Sequence, residues 1–114
     1  MVTDALVQEI TQLHADICSA LADPRRILIL YALAERPRNV SDLASDVGIS
    51  QPAASRHLTI LRERSMVNAQ RDGQSVVYQL ADVRTIQALD LLRAILGDNL
   101  KSRGQLAQVV LDVE

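Results

Sequence analysis

"SQPAASRHLTILRERSMV", residues 50–67, decides how the rest of the chain is read. Ser50 is a good helix N-cap, because its hydroxyl can accept from a first-turn amide that has no partner within the helix. Pro52 is tolerated in that first turn. On a helical wheel of residues 51–63, Ala54, Leu58 and Leu61 fall on one stripe, which is predicted to be buried. Gln51, Ser55, Arg56, Thr59 and Arg62 fall on the remaining surface. They are short or flexible hydrogen-bonding side chains near the helix N-terminus, and two are cationic. His57 lies beside the apolar stripe and reads as structural.

Working outward, "VSDLASDV" (40–47) is a short helix with Ser41 as its expected cap, and "GIS" (48–50) is a tight turn where Gly48 can take a positive φ. Two short helices joined by a three-residue turn containing Gly form a helix-turn-helix, here over about 41–64. Downstream, "MVNAQR" and "VVYQLA" are β-prone runs on either side of Asp72-Gly73, which predicts a hairpin over about 66–80. Upstream, "DPRRILILYALAE" has Asp23 as a cap and Pro24 at the first helical position. It is apolar almost all round and therefore central, and "RPRN" ends it. At the margins, Leu6, Ile10, Leu13, Ile17 and Leu21 mark an amphipathic helix over 4–21. Ile86, Leu89, Leu92, Ile95 and Leu96 mark a long one over about 82–100. The tail, 101–114, reads as a short helix or a frayed end. There is no repeat, low-complexity tract or linker, so residues 1–114 are expected to be a single domain.

Composition sets the remaining bounds. The chain is 48% hydrophobic but has two Tyr and no Trp or Phe, so its core must be aliphatic. Small domains with thin cores often gain stability by oligomerising. A single Cys forbids an intrachain disulfide and fits a reducing cytoplasm. No run approaches the roughly 18 apolar residues of a membrane span, and the acidic start is unlike a signal peptide. A cytoplasmic, membrane-free location is expected. The net charge of −2 hides an uneven distribution: residues 1–24 carry −4, residues 25–75 carry eight Arg against five acids, and residues 76–114 carry −1. Two central segments placed on one side of a dimer would make a basic face.

Such a face suits nucleic acid. An α-helix fits the DNA major groove, where Arg pairs with guanine and Gln with adenine, and Ser and Thr contact bases or phosphates. The residues near the start of the second helix in a helix-turn-helix meet the base edges. The hairpin tip, "RDGQS", adds Arg71, Gln74 and Ser75 for the phosphate backbone or minor groove.

The order helix, helix, helix-turn-helix, hairpin, long helix resembles the ArsR/SmtB family of bacterial winged-helix repressors. The resemblance rests on "LADPRRILIL" (21–30), "VSDLASDVGISQPAASRHLTILRE" (40–63), "MVNAQRDGQSVVYQL" (66–80) and the final helix, and covers about residues 5–100. It implies a mainly α fold with a β-hairpin wing (α+β), a homodimer through the first and last helices, a palindromic double-stranded DNA operator, and repression released by a small inducer. It implies base contacts from Gln51, Ser55 and Arg56 with Pro52 close by. Thr59, Arg62, Arg71, Gln74 and Ser41 complete the expected DNA-binding set. At Ser65 the family usually has Gly.

The resemblance also raises metal sensing. One family site places Cys residues where this chain has Asn39 and Ser41, which do not suit a soft metal. A second uses acids and imidazoles of the last helix. Asp82 and Asp98 match acidic or final-ligand positions, but Arg84 and Ile95 replace the imidazoles, and two carboxylates without nitrogen ligands make no tight zinc site. His14 and Cys18, four apart on the first helix, could supply two donors for a divalent metal outside the family's sites. Otherwise Cys18 is a small hydrophobe and His14 an edge residue. No cofactor is required. Alternatives to a DNA-binding repressor are a metal-responsive regulator and a winged-helix interaction module without DNA binding. An enzyme is disfavoured: no paired carboxylates, Cys-His or Ser-His constellation, or glycine-rich phosphate loop is legible.

Overall fold

Four side-chain caps lay out the helices of the computed structural model, which describes the backbone of residues 1–113 and the side chains of residues 1–104. Thr3 accepts from the Leu6 amide and starts α1 (Asp4–Leu13). Asp23 accepts from the Arg25 amide and starts α2 (Pro24–Glu35). Asn39 accepts from the Asp42 amide and starts α3 (Val40–Val47). Ser50 accepts from the Ala53 amide and starts α4 (Gln51–Glu63). The expected cap of α3 was Ser41. The helix instead begins at Val40, which leaves Ser41 inside the first turn and makes Asn39 the residue with extended backbone whose carboxamide oxygen reaches the Asp42 amide.

The first helix is not α-helical throughout. After Leu13 it widens into a π-helical segment, His14–Cys18, where the Ser19 amide donates to the His14 carbonyl. Three strands follow the helices' logic: β1 (Arg38–Asn39), β2 (Val67–Asp72) and β3 (Ser75–Leu80). They form one antiparallel sheet in the order β1-β3-β2, with Arg38 opposite Tyr78 and Val67 opposite Leu80. The expected hairpin is present. The third strand was not foreseen, because two residues show no alternation of polarity. The hairpin turns on Gly73-Gln74, with Gly73 at φ +64 and Gln74 at negative φ, the sign pattern of a type II′ turn.

Residues 1–83 form one compact unit and the chain from Arg84 onward a second. In the first, α2 packs against α3, α4 and β3, and α4 against β2. Ile29, Leu30, Leu43, Leu58, Leu61 and Val67 are its largest fully buried side chains, so the core is aliphatic as the composition requires. The second unit is the single helix α5 (Arg84–Val113). It runs unbroken through Gly97 and Gly104, where a frayed or separate tail after about residue 100 had been one expectation. A mid-helix glycine costs about 1 kcal/mol relative to alanine, which weakens a helix without ending it. The apolar tail positions Leu106, Val109, Val110 and Val113 lie outside the described side chains.

Candidate nucleic-acid interface

The helix-turn-helix is set by how α3 stops. Gly48 takes φ +77, and the amides of Gly48 and Ile49 both donate to the Ala44 carbonyl, at 2.9 and 3.0 Å. That left-handed residue reverses the chain so that Ser50 can cap α4 at once. α3 and α4 then pack together.

α4 divides cleanly. Ala53, Ala54, His57, Leu58 and Leu61 are buried, while Gln51, Pro52, Ser55, Arg56, Thr59 and Arg62 are exposed. Two exposed side chains are already oriented. Gln51 Nε2 donates to Ser41 Oγ at 3.2 Å, which joins the starts of the two helices. Thr59 Oγ1 donates to the Ser55 carbonyl at 3.0 Å, so its hydroxyl proton is used within the helix and only its lone pairs face outward. On the wing, Arg71 stands opposite Val76 in β2, Gln74 sits in the turn and Ser75 opens β3. All three are exposed.

The central arginines separate into two groups. Arg25 pairs with Asp23 at 2.9 Å, Arg64 with Asp16 at 3.1 Å, and buried Arg38 with Glu35 at 2.7 Å and with Asp46. Arg26 donates to backbone carbonyls and His57. These four are tied into the fold. Arg36, Arg56, Arg62 and Arg71 form no ion pair among the described residues. The usable basic charge is therefore smaller than the sequence sum, and it is concentrated on α4, the wing and the end of α2. Sequence gives the charge of these arginines but not their partners.

His57 is the structural residue that its position suggested. It is 8% exposed, and its Nδ1 lies 3.2 Å from an Arg26 guanidinium nitrogen. Burial is the main cause holding the imidazole below its ordinary value. Arg25, Arg26 and Arg56 add to that, and Asp23 opposes it. A neutral ring with Nδ1 as acceptor satisfies the contact. The Asp23 carboxyl is held well below the usual carboxylate range, first by the Arg25 side chain and then by the Arg25 amide.

His14 and Cys18 open and close the π-helical segment, and both are exposed. No cluster of three or more His, Cys, Asp or Glu able to hold a metal exists among the described residues. The described residues therefore do not fit a closed metal site within one copy of the chain.

The profile of the bacterial regulatory protein arsR family matches residues 23–69, which run from the cap of α2 into the wing. The nodulation protein NolR of Rhizobium meliloti is 37% identical over 91 residues, covering 80% of this chain and 75% of that protein. Among solved structures, Mycobacterium tuberculosis Rv0081 superposes with a TM-score of 0.74 at 37% identity, covering 82% of this chain and 95% of that one. Its sequence is described as an HTH-type transcriptional regulator. The homodimeric winged helix-turn-helix DNA-binding domain of Mb0332 from Mycobacterium bovis superposes with a TM-score of 0.74 at 28% identity, covering 88% and 92%. The chain belongs to the arsR family of bacterial regulatory proteins. It is a winged helix-turn-helix transcriptional regulator and not an enzyme. Among the described residues no helix is long and apolar enough to cross a membrane.

Proposed function

We propose that the chain is a homodimeric, sequence-specific repressor that reads a palindromic operator with α4 and grips its backbone with the wing. The observation that carries this reading is the exposed polar face of α4, whose Arg56 and Arg62 form no ion pair among the described residues, on a helix whose opposite side is buried. Arg56 reads a guanine edge, and Gln51, held by Ser41, reads an adjacent base. Ser55 supplies a further base contact beside Pro52. Thr59 accepts, and Arg62 meets phosphate. Arg71 and Gln74 reach the backbone or minor groove.

Two copies are needed because one α4 covers only half a site. Half-sites lie about one helical turn apart, roughly 10–10.5 base pairs. The homodimer of Mb0332 supports this assembly. So do the apolar side chains left open on the first and last helices: Leu6, Val7, Ile10 and Leu13 on α1, and Leu91, Leu92, Ile95 and Leu96 on α5. Residues 1–83 and α5 thus serve as one DNA-binding domain, working in the cytoplasm, where the bacterial chromosome lies. An inducer, still to be identified, releases the operator, and a divalent metal in that role needs donors from both copies.

Fluorescence anisotropy with the DNA upstream of the protein's own gene tests the reading across a salt series. Selective binding that weakens steeply with salt is expected, and Arg56→Ala should lower operator affinity by about 1–3 kcal/mol. Equal affinity for operator and random DNA at every salt concentration would sink it.

A further inference from the structure

Arg26 belongs to none of the DNA contacts above, yet it touches both ends of a connection. Its Nε donates to the Ala20 carbonyl at 2.7 Å and one terminal nitrogen to the Ser19 carbonyl at 3.3 Å. The other terminal nitrogen lies 3.2 Å from Nδ1 of His57, on α4. The last carbonyls of a helix carry partial negative charge, so a guanidinium fork is well matched to them, and the Ser19 carbonyl also accepts from the Ala22 amide at 3.3 Å. A second link runs alongside. Arg64, just past the end of α4, pairs with Asp16 in the π-helical segment.

Both links join residues 16–20 to the reading helix, one at its buried midpoint and one at its exit. Residues 16–20 lie on the same continuous helical stretch just beyond α1, whose apolar face is open. They include the end of the π-helical segment, where π-helical bonding gives way again to α-helical bonding at Ser19, a place where a helix can change register. His57 is the neighbour of Arg56 and shares its turn of helix.

We propose that the end of the first helix is the regulatory input to α4, and that Arg26 is the positioning residue that transmits it through His57, with Arg64 and Asp16 as an auxiliary link. The inference rests on the DNA-binding reading. A change in how α1 is held reaches the base-reading face through the Arg26 fork, without repacking the aliphatic core. The charged groups facing His57 are Asp23 from the cap of α2, Arg25 and Arg26 from α2, and Arg56 from α4 itself. Protonation would put a hydrogen on Nδ1 against the Arg26 donor and break the contact, which gives the link a signature in pH.

The test compares the full chain and its variants on an operator duplex and a random duplex of equal length, with thermal unfolding as the control for folding. Arg26→Lys keeps the charge but not the fork. It should lower the ratio of operator to random affinity about tenfold, the loss of one charge-assisted hydrogen bond, with random-duplex affinity unchanged. His57→Asn keeps an acceptor near Nδ1 and cannot titrate. It should retain selectivity near pH 7.5 and stay flat as pH is lowered, while the native protein loses selectivity as pH falls through the depressed His57 value. Should Arg26→Lys fail to fold, Arg64→Ala breaks the exposed link alone, and a ratio lowered about twofold or more is expected. A ratio within measurement error of the native one in a folded Arg26→Lys or Arg64→Ala protein overturns the inference. So does a pH decline in His57→Asn that matches the native protein. A native protein that binds both duplexes equally overturns the DNA-binding reading instead, a separate result.

Discussion

Ser65 takes a left-handed backbone, φ +60, at the exit of α4. The Met66 amide donates to the Leu61 carbonyl at 2.9 Å and the Ser65 amide to the Arg62 carbonyl at 3.0 Å, the paired bonds of a Schellman cap. Glycine is the usual residue there because a Cβ crowds the carbonyl. The departure from the family was legible in the sequence; that the turn keeps its form with a serine was not. Ser65→Gly removes the crowding but frees the unfolded chain, so a net stabilisation of about 0.5–1 kcal/mol is expected, read as a higher urea midpoint at constant slope. His57 makes a second prediction at this scale. Its folded-state value is depressed, so between that value and the ordinary one of about 6.5 the unfolded chain binds more protons. Its contribution to stability is complete above about pH 6.5 and is lost as pH falls through the interval. The urea midpoint should drop on going from about pH 7.5 to about pH 5.5, and drop less in His57→Asn. Position beside the apolar stripe identified His57 as structural, but its partner, 31 residues away in sequence, has no local signature.

Among the elements, α4 was the most legible, because cap, proline, periodicity and buried stripe all agree. The wing was nearly so. β1 was not, since a two-residue strand exists only through its pairing with β3. The same two residues explain the cap of α3, because the chain leaves β1 extended at Asn39 and has turned helical before it reaches Ser41. The wing's contribution to binding can be isolated. Arg71 is exposed and outside α4, so Arg71→Ala should weaken operator and random DNA equally and reduce the salt slope by about one. Titrations of both duplexes over a salt series check this, and a loss confined to the operator would contradict the assigned role.

For the whole molecule, the sequence showed a central excess of arginine but not that Arg25, Arg26, Arg38 and Arg64 are bound internally. Burial decides it for Arg38, long-range contact for Arg26 and Arg64, and a local pair with Asp23 for Arg25, and none of these shows as a periodicity. The full length of α5 was also illegible, because the apolar stripe of residues 86–96 gives no sign that the helix continues past about residue 100. The proposed dimer depends on apolar surface such as Leu92, 58% exposed. Leu92→Glu should shift the sedimentation coefficient towards that of a monomer and weaken binding to a two-half-site operator far more than to a single half-site. One further consequence follows from Asn39, which ends β1 and caps α3 at once. Residues 36–39 hold the wing's inner strand and the entrance of the helix-turn-helix in one register. Lengthening the chain there by a residue would pull the strand out of pairing or strip the helix of its cap. At Gly73-Gln74 nothing downstream depends on the spacing, so that tip can take insertions. Tolerance to added length should therefore differ sharply between these two short connections.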